Sequence, residues 1–185
     1  MFRRTGDDVH RPLPVRPGSS RRDARRRSAA GRLASRPETL DESGSTFVGR
    51  RQTAFDCRAE MSLSFDPVDG DEAGLAVVAN ERHRYQLGVT RRNGRREAVV
   101  RLRIGDATEV VGRTPVGAST DLTVAADTDE YRFRVDGEEL ASGAARSLST
   151  KVTTGFTGVF LGPCATGHGT TCESDAVVER FVYES

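Results

Sequence analysis

The chain has 185 residues, of which 30% are charged, 36% hydrophobic and 6% aromatic, with no tryptophan. That is lean for a core drawn from the whole length, yet well short of a disordered chain; no run of 18 apolar residues exists to cross a membrane as a helix, and three cysteines do not make a disulfide scaffold. The net charge of +1 conceals a division: residues 1–36 carry 11 arginines against three aspartates, whereas residues 37–185 carry 17 basic and 24 acidic groups.

Residues 1–44 read as a disordered, basic N-terminal tail. They hold Pro12, Pro14, Pro17 and Pro37, the run RRDARRR at 21–27, and no apolar periodicity. Clustered arginines can neutralise phosphates. No aromatic or glycine-rich recognition element accompanies them, so a solvated extension is preferred to a nucleic-acid patch. Arg3-Arg4 is not followed by an apolar segment. Neither a secretory nor a twin-arginine signal is therefore read, and the expected compartment is the cytoplasm.

From Phe47 the period changes to two, and residues 45–185 read as one β-domain. In FDCRAEMSLSF, Phe55, Cys57, Ala59, Met61, Leu63 and Phe65 alternate with polar residues, the pattern of a half-buried strand. DPVDGDE follows as a turn, then AGLAVVAN (73–80) as a short buried strand. HRYQLGVTR and AVVRLRI form a hairpin around Asn93-Gly94, a dipeptide suited to a tight turn. DLTVAAD, YRFRV before Asp136-Gly137, GFTGVFLG (155–162) and AVVERFVYE continue the series, with no helical periodicity over three turns. About ten short strands separated by turn signals predict an all-β, jelly-roll sandwich.

Chemistry-bearing residues are sparse. Cys164, His168 and Cys172 have the spacing C-x3-H-x3-C, which could supply three zinc ligands, two free thiols or a short-loop disulfide; a plain loop is the preferred reading, since no paired CxxC accompanies it. Asp66, Asp69, Asp71, Glu72, Asp127, Asp129 and Glu130 could pair for glycoside hydrolysis. All fall in turn-like segments, where carboxylates serve solubility and turn geometry, so no catalytic residue is assigned. No G-x-S-x-G elbow is present, and neither a cofactor nor a metal is expected. Tyr85, Tyr131 and Tyr183 lie in register with apolar strand positions and read as core rather than as sugar-stacking platforms.

TFVGRRQ (46–52), SFDPVDGDEAGLAVVANERHRYQLGVT (64–90), LSTKVTTGFTGVFLGPCATGHG (148–169) and the closing AVVERFVYE resemble the C-terminal β-sandwich of family 43 glycoside hydrolases, the β-xylosidases and α-L-arabinofuranosidases. The resemblance covers about residues 33–185. It implies a concanavalin A-like sandwich that packs on a five-bladed catalytic propeller, and these 185 residues hold no propeller. The chain is therefore expected to be a truncated, non-catalytic accessory domain, and the sandwich itself is expected to lack its first strands. The expected partner is a glycosidase propeller, or a second copy through the exposed face. The resemblance further implies that Phe156, in the FTG segment, contributes to the rim of the propeller's pocket, where a xylo-oligosaccharide would bind. Val177 and Arg180 depart from the family's closing strand, which argues against an ion site there. The alternative function is a stand-alone carbohydrate-binding module for xylan or arabinoxylan fragments, which would require two or three aromatics exposed on one face.

Overall fold

The computed structural model describes residues 27–42, 45–153, 158–169 and 174–185, with side chains from residue 30 onward. Strands β1 (Arg27–Ala34), β2 (Thr46–Phe47), β3 (Arg50–Arg51) and β4 (Cys57–Ser64) come first. They are followed by β5 (Glu72–Asn80), β6 (His83–Arg92), β7 (Arg95–Ile104), β8 (Ala107–Pro115) and β9 (Ser119–Ala126). The series closes with β10 (Glu130–Val135), β11 (Glu138–Ala144), β12 (Phe160–Thr166) and β13 (Asp175–Glu184). Sheet one is ordered β1-β13-β4-β9-β10-β11; sheet two is ordered β2-β12-β5-β6-β7-β8, with β3 also pairing β12. All of these ladders are antiparallel. The predicted sandwich is the fold observed.

Period-two patterning places the core between the sheets. In β4, Cys57, Ala59, Met61 and Leu63 are buried while Arg58 is exposed. Leu75 and Val77 of β5, Leu87 of β6 and Val100 of β7 meet Leu122, Val124 and Phe133 from sheet one. The three tyrosines are core residues, as the alternation predicts. Tyr85 meets Tyr131 edge-on with centroids 5.9 Å apart and Phe133 at 6.2 Å, an arrangement in which ring edges face π clouds. The two predicted tight turns are present, with consecutive positive φ at Asn93 and Gly94 (52° and 75°) and at Asp136 and Gly137 (50° and 87°), the conformation that right-twisted hairpins favour.

Four features depart from the sequence reading. The assigned tail boundary at residue 44 is too late, because residues 27–34 form β1 on the edge of sheet one, paired with β13. Among β1's described side chains only Leu33 is buried, so the strand is held by backbone pairing and leaves little hydrophobic pattern to read. Phe55 does not join the inward row of β4; it is 71% exposed. The Gln52 amide explains this by donating to Ala54 O (2.8 Å) and Phe55 O (3.4 Å), which holds a bend just before the strand begins. The strand foreseen at 155–162 runs instead through Phe160–Thr166, so Cys164 is a strand residue and not a loop residue. Finally, a 3-10 turn at Ala145–Leu148 and the single-turn α1 (Thr150–Thr153) supply the helical turns among the described residues, both too short to show periodicity.

Pro163 in the middle of β12 is accommodated by the neighbouring chain. Its carbonyl accepts from Val48 N at 2.9 Å, and its missing N–H faces the same side, where Val48 and Gly49 interrupt β2 and β3. Gly162 permits this approach: a Cβ there would fall 2.0 Å from Val48 O.

Candidate functional site

A cleft of about 460 Å3 opens at one end of the sandwich. Its walls come from the segment Gln52–Phe55, the β9–β10 turn with Asp127 and Tyr131, the Ala145–Leu148 turn with Ser149 and Thr150, and Gly158 with Val159. Backbone bonds tie these pieces together: Gln52 N donates to Val159 O (2.8 Å), and Ala145 N donates to Asp129 O (2.8 Å). The Tyr131 hydroxyl donates to Gln52 Oε1 at 2.7 Å, and burial pushes the phenol's pKa up, so it stays a neutral donor. Asp127 Oδ1 accepts from the backbone N–H groups of Asp129 (2.8 Å) and Glu130 (3.0 Å), and its Oδ2 lies 2.9 Å from Arg132. These bonds, the Asp129 N–H foremost, hold the carboxyl below its ordinary range and keep it charged.

Asp127 is the one carboxylate among the described lining residues. Glycoside hydrolysis needs two facing carboxyl groups of different protonation, and this cleft supplies a single ionised one.

A second polar constellation lies on the outer face of sheet two. Glu72 of β5, with a side chain 3% exposed, reaches across Gly88 to Arg101 of β7. His168 Nε2 lies 3.2 Å from its Oε2. Burial favours the protonated acid, but the His168 hydrogen bond and the Arg101 charge outweigh it, and the pKa is lowered. Beside this group Asp41 pairs with both Arg84 and Arg103. Leu40 packs on Ala76 and Cys164. The segment around it is fastened by Thr166 Oγ1 to Glu38 O (3.0 Å), Gly167 N to Arg36 O (2.7 Å) and Gly169 N to Pro37 O (2.7 Å). The segment 36–42 is thus strapped across the sheet, and these charges form internal ion pairs beneath it.

The residues singled out in the sequence are placed as follows. Phe156 lies outside the described residues, in 154–157; its flanks Thr153 and Gly158 both line the cleft, and Gly158 has φ 77°. Cys172 also lies outside the described residues. Cys164 is buried, and burial pushes its thiol up to about 12; His168 sits in a turn with φ 50° and is engaged with Glu72. Among the described residues no group of three potential ligands could hold a metal ion. Two of the carboxylates read as solvated turn residues are not: Asp71 and Glu72 are 0% and 2% exposed. A buried acid at a strand start gives no signal in sequence unless its distant partners, here Arg101 and His168, are known.

Comparison with known proteins agrees with this geometry. The profile of the β-xylosidase C-terminal concanavalin A-like domain matches residues 21–184. A non-reducing end α-L-arabinofuranosidase of Bacteroides ovatus is 37% identical over 152 residues, which span 77% of this chain and 28% of the relative. A solved Bacteroides ovatus protein, GH43B of a xyloglucan PUL, superposes with a TM-score of 0.79 at 31% identity, covering 83% of this chain and 32% of that one. A GH43 protein of Bacillus licheniformis shares the fold with a TM-score of 0.76 at 17% identity, covering 84% of this chain and 33% of that one. The chain therefore spans a third or less of the length of each of these three proteins.

Proposed function

This chain belongs to the β-xylosidase C-terminal concanavalin A-like domain family, and from that premise we propose that it acts as a non-catalytic accessory sandwich packing on a glycoside hydrolase propeller and helping to shape its xyloside or arabinofuranoside pocket. The observation that carries this reading is the match of residues 21–184 to this domain family, together with a similarity to the arabinofuranosidase that takes in only 28% of that protein's length. The cleft's single carboxylate favours it too, since the chain's own chemistry offers no acid–base pair there. Segment 154–157, between two residues that line the cleft, would carry Phe156 to the rim of the partner's pocket.

The test reconstitutes the pair. The catalytic part of the Bacteroides ovatus relative, deprived of the region this chain matches, is mixed with the purified chain, and hydrolysis of aryl arabinofuranoside and xyloside is followed. The chain alone should be inactive and the mixture active. Phe156→Ala should lower kcat/KM of the mixture by about tenfold, mainly through KM, because an aromatic wall binds substrate without taking part in bond cleavage. Activity of the chain alone that vanishes on changing one carboxylate would refute the reading.

A further inference from the structure

Phe55 is out of keeping with the other described aromatics. Phe65, Tyr85, Tyr131, Phe133 and Tyr183 are buried, and Phe47, Phe160 and Phe181 are half-buried, whereas Phe55 is 71% exposed at the mouth of the cleft. Its placement is built in. The Gln52 amide fixes the bend that turns the ring outward, and Gln52 is itself pinned by the Tyr131 hydroxyl and by Val159 O. Beyond the ring, the cleft floor is apolar, with Ala79, Ala145 and Leu148, while its rim carries Asp127, Thr128, Arg146 and Thr150.

We propose that this cleft binds a sugar residue of a neutral oligosaccharide, with Phe55 stacking on the apolar face of the ring and Asp127, Arg146 and the rim hydroxyls bonding to its hydroxyl groups. A purely apolar ligand would strip water from the charged rim without replacing its hydrogen bonds, which is unfavourable. A sugar supplies both a C–H face for the ring and hydroxyls for the rim. The carboxylate of Asp127 stays ionised as an acceptor, and the guanidinium of Arg146 adds donors. A volume of about 460 Å3 lies toward the lower part of the range for small-molecule sites, about 300–1,000 Å3, which suits a short or terminal sugar segment. One exposed aromatic among the described residues cannot make the multi-ring platform required of a module that grips long polymers. The site therefore recognises a chain end or a short fragment.

The test uses the chain without any catalytic partner, so it can fail independently of the accessory role. Isotope-labelled protein is titrated with xylotriose, and in parallel with arabinotriose, by amide NMR. Saturable shifts confined to residues 52–55, 127–131 and 145–150 are expected with at least one of the two. Phe55→Ala should weaken that binding by about tenfold with the spectrum's dispersion intact, and Phe55→Trp should preserve or tighten it, as expected if a π face is what stacks. No saturable shift with either sugar, equal binding by Phe55→Ala, or shifts centred elsewhere would overturn the proposal. Complex formation with the catalytic part but no sugar binding refutes this inference alone; sugar binding without complex formation refutes the accessory role alone.

Discussion

With sheet two's outer face open, Glu72 would be a solvated carboxylate at a strand start. The strap at 36–42 and the turn carrying His168 close that face instead, and leave the acid buried against Arg101. Its lowered pKa ties stability to pH with a definite sign. A depressed carboxylate contributes stability above its ordinary value of 4.5 and loses it as pH falls through the lower folded value. Thermal melting should therefore show the wild-type Tm declining as pH is lowered below about 4.5, with a flatter profile for Glu72→Gln in that window. At neutral pH the same substitution should cost about 3 kcal/mol, because it leaves Arg101 partly buried without its counter-charge; urea unfolding measures that difference. Cys164 makes a separate prediction. Buried and with a thiol pushed up to about 12, it should resist alkylation in the folded chain and react once the chain is unfolded, which peptide mass spectrometry can follow.

At the level of elements, what packs against the core was legible and what lies at edges was not. β4 and β10 bury one face, and the alternation of Met61, Leu63, Tyr131 and Phe133 records it, whereas β5 and β6 are buried on both faces. β8 is an edge strand with mostly exposed or half-buried residues on both faces, and β1 buries only Leu33 among its described side chains, so neither leaves a period-two signature. Phe55 obeys the alternation in sequence and breaks it in the fold, because a hydrogen bond from Gln52 outweighs the pattern for one residue. The cleft was invisible for a related reason: its lining comes from five separate stretches of chain, whose meeting depends on topology. Turn chemistry was the most readable local feature. Asn93, in the left-handed region at 52°, should lose about 1 kcal/mol on substitution by alanine. Gly162 should be far less tolerant. An alanine there would place its Cβ against the Val48 carbonyl, a backbone atom that cannot swing aside, so Gly162→Ala should destabilise by about 3 kcal/mol in urea unfolding.

For the whole molecule, the sandwich buries a single principal core between its sheets and pairs Glu72 with Arg101 and Asp41 with Arg84 and Arg103 across the outer face of sheet two. Thr153 and Gly158, the flanks of segment 154–157, both line the cleft, so one end of the sandwich carries both the cleft's polar groups and the flanks of Phe156. An accessory role requires that a catalytic domain recognise this surface directly. Sedimentation velocity on the chain mixed with the sandwich-less catalytic part of the Bacteroides ovatus relative measures that recognition. The account predicts a one-to-one complex of summed mass together with recovered arabinofuranoside hydrolysis. Two species sedimenting independently at every ratio, with no activity restored, would contradict it.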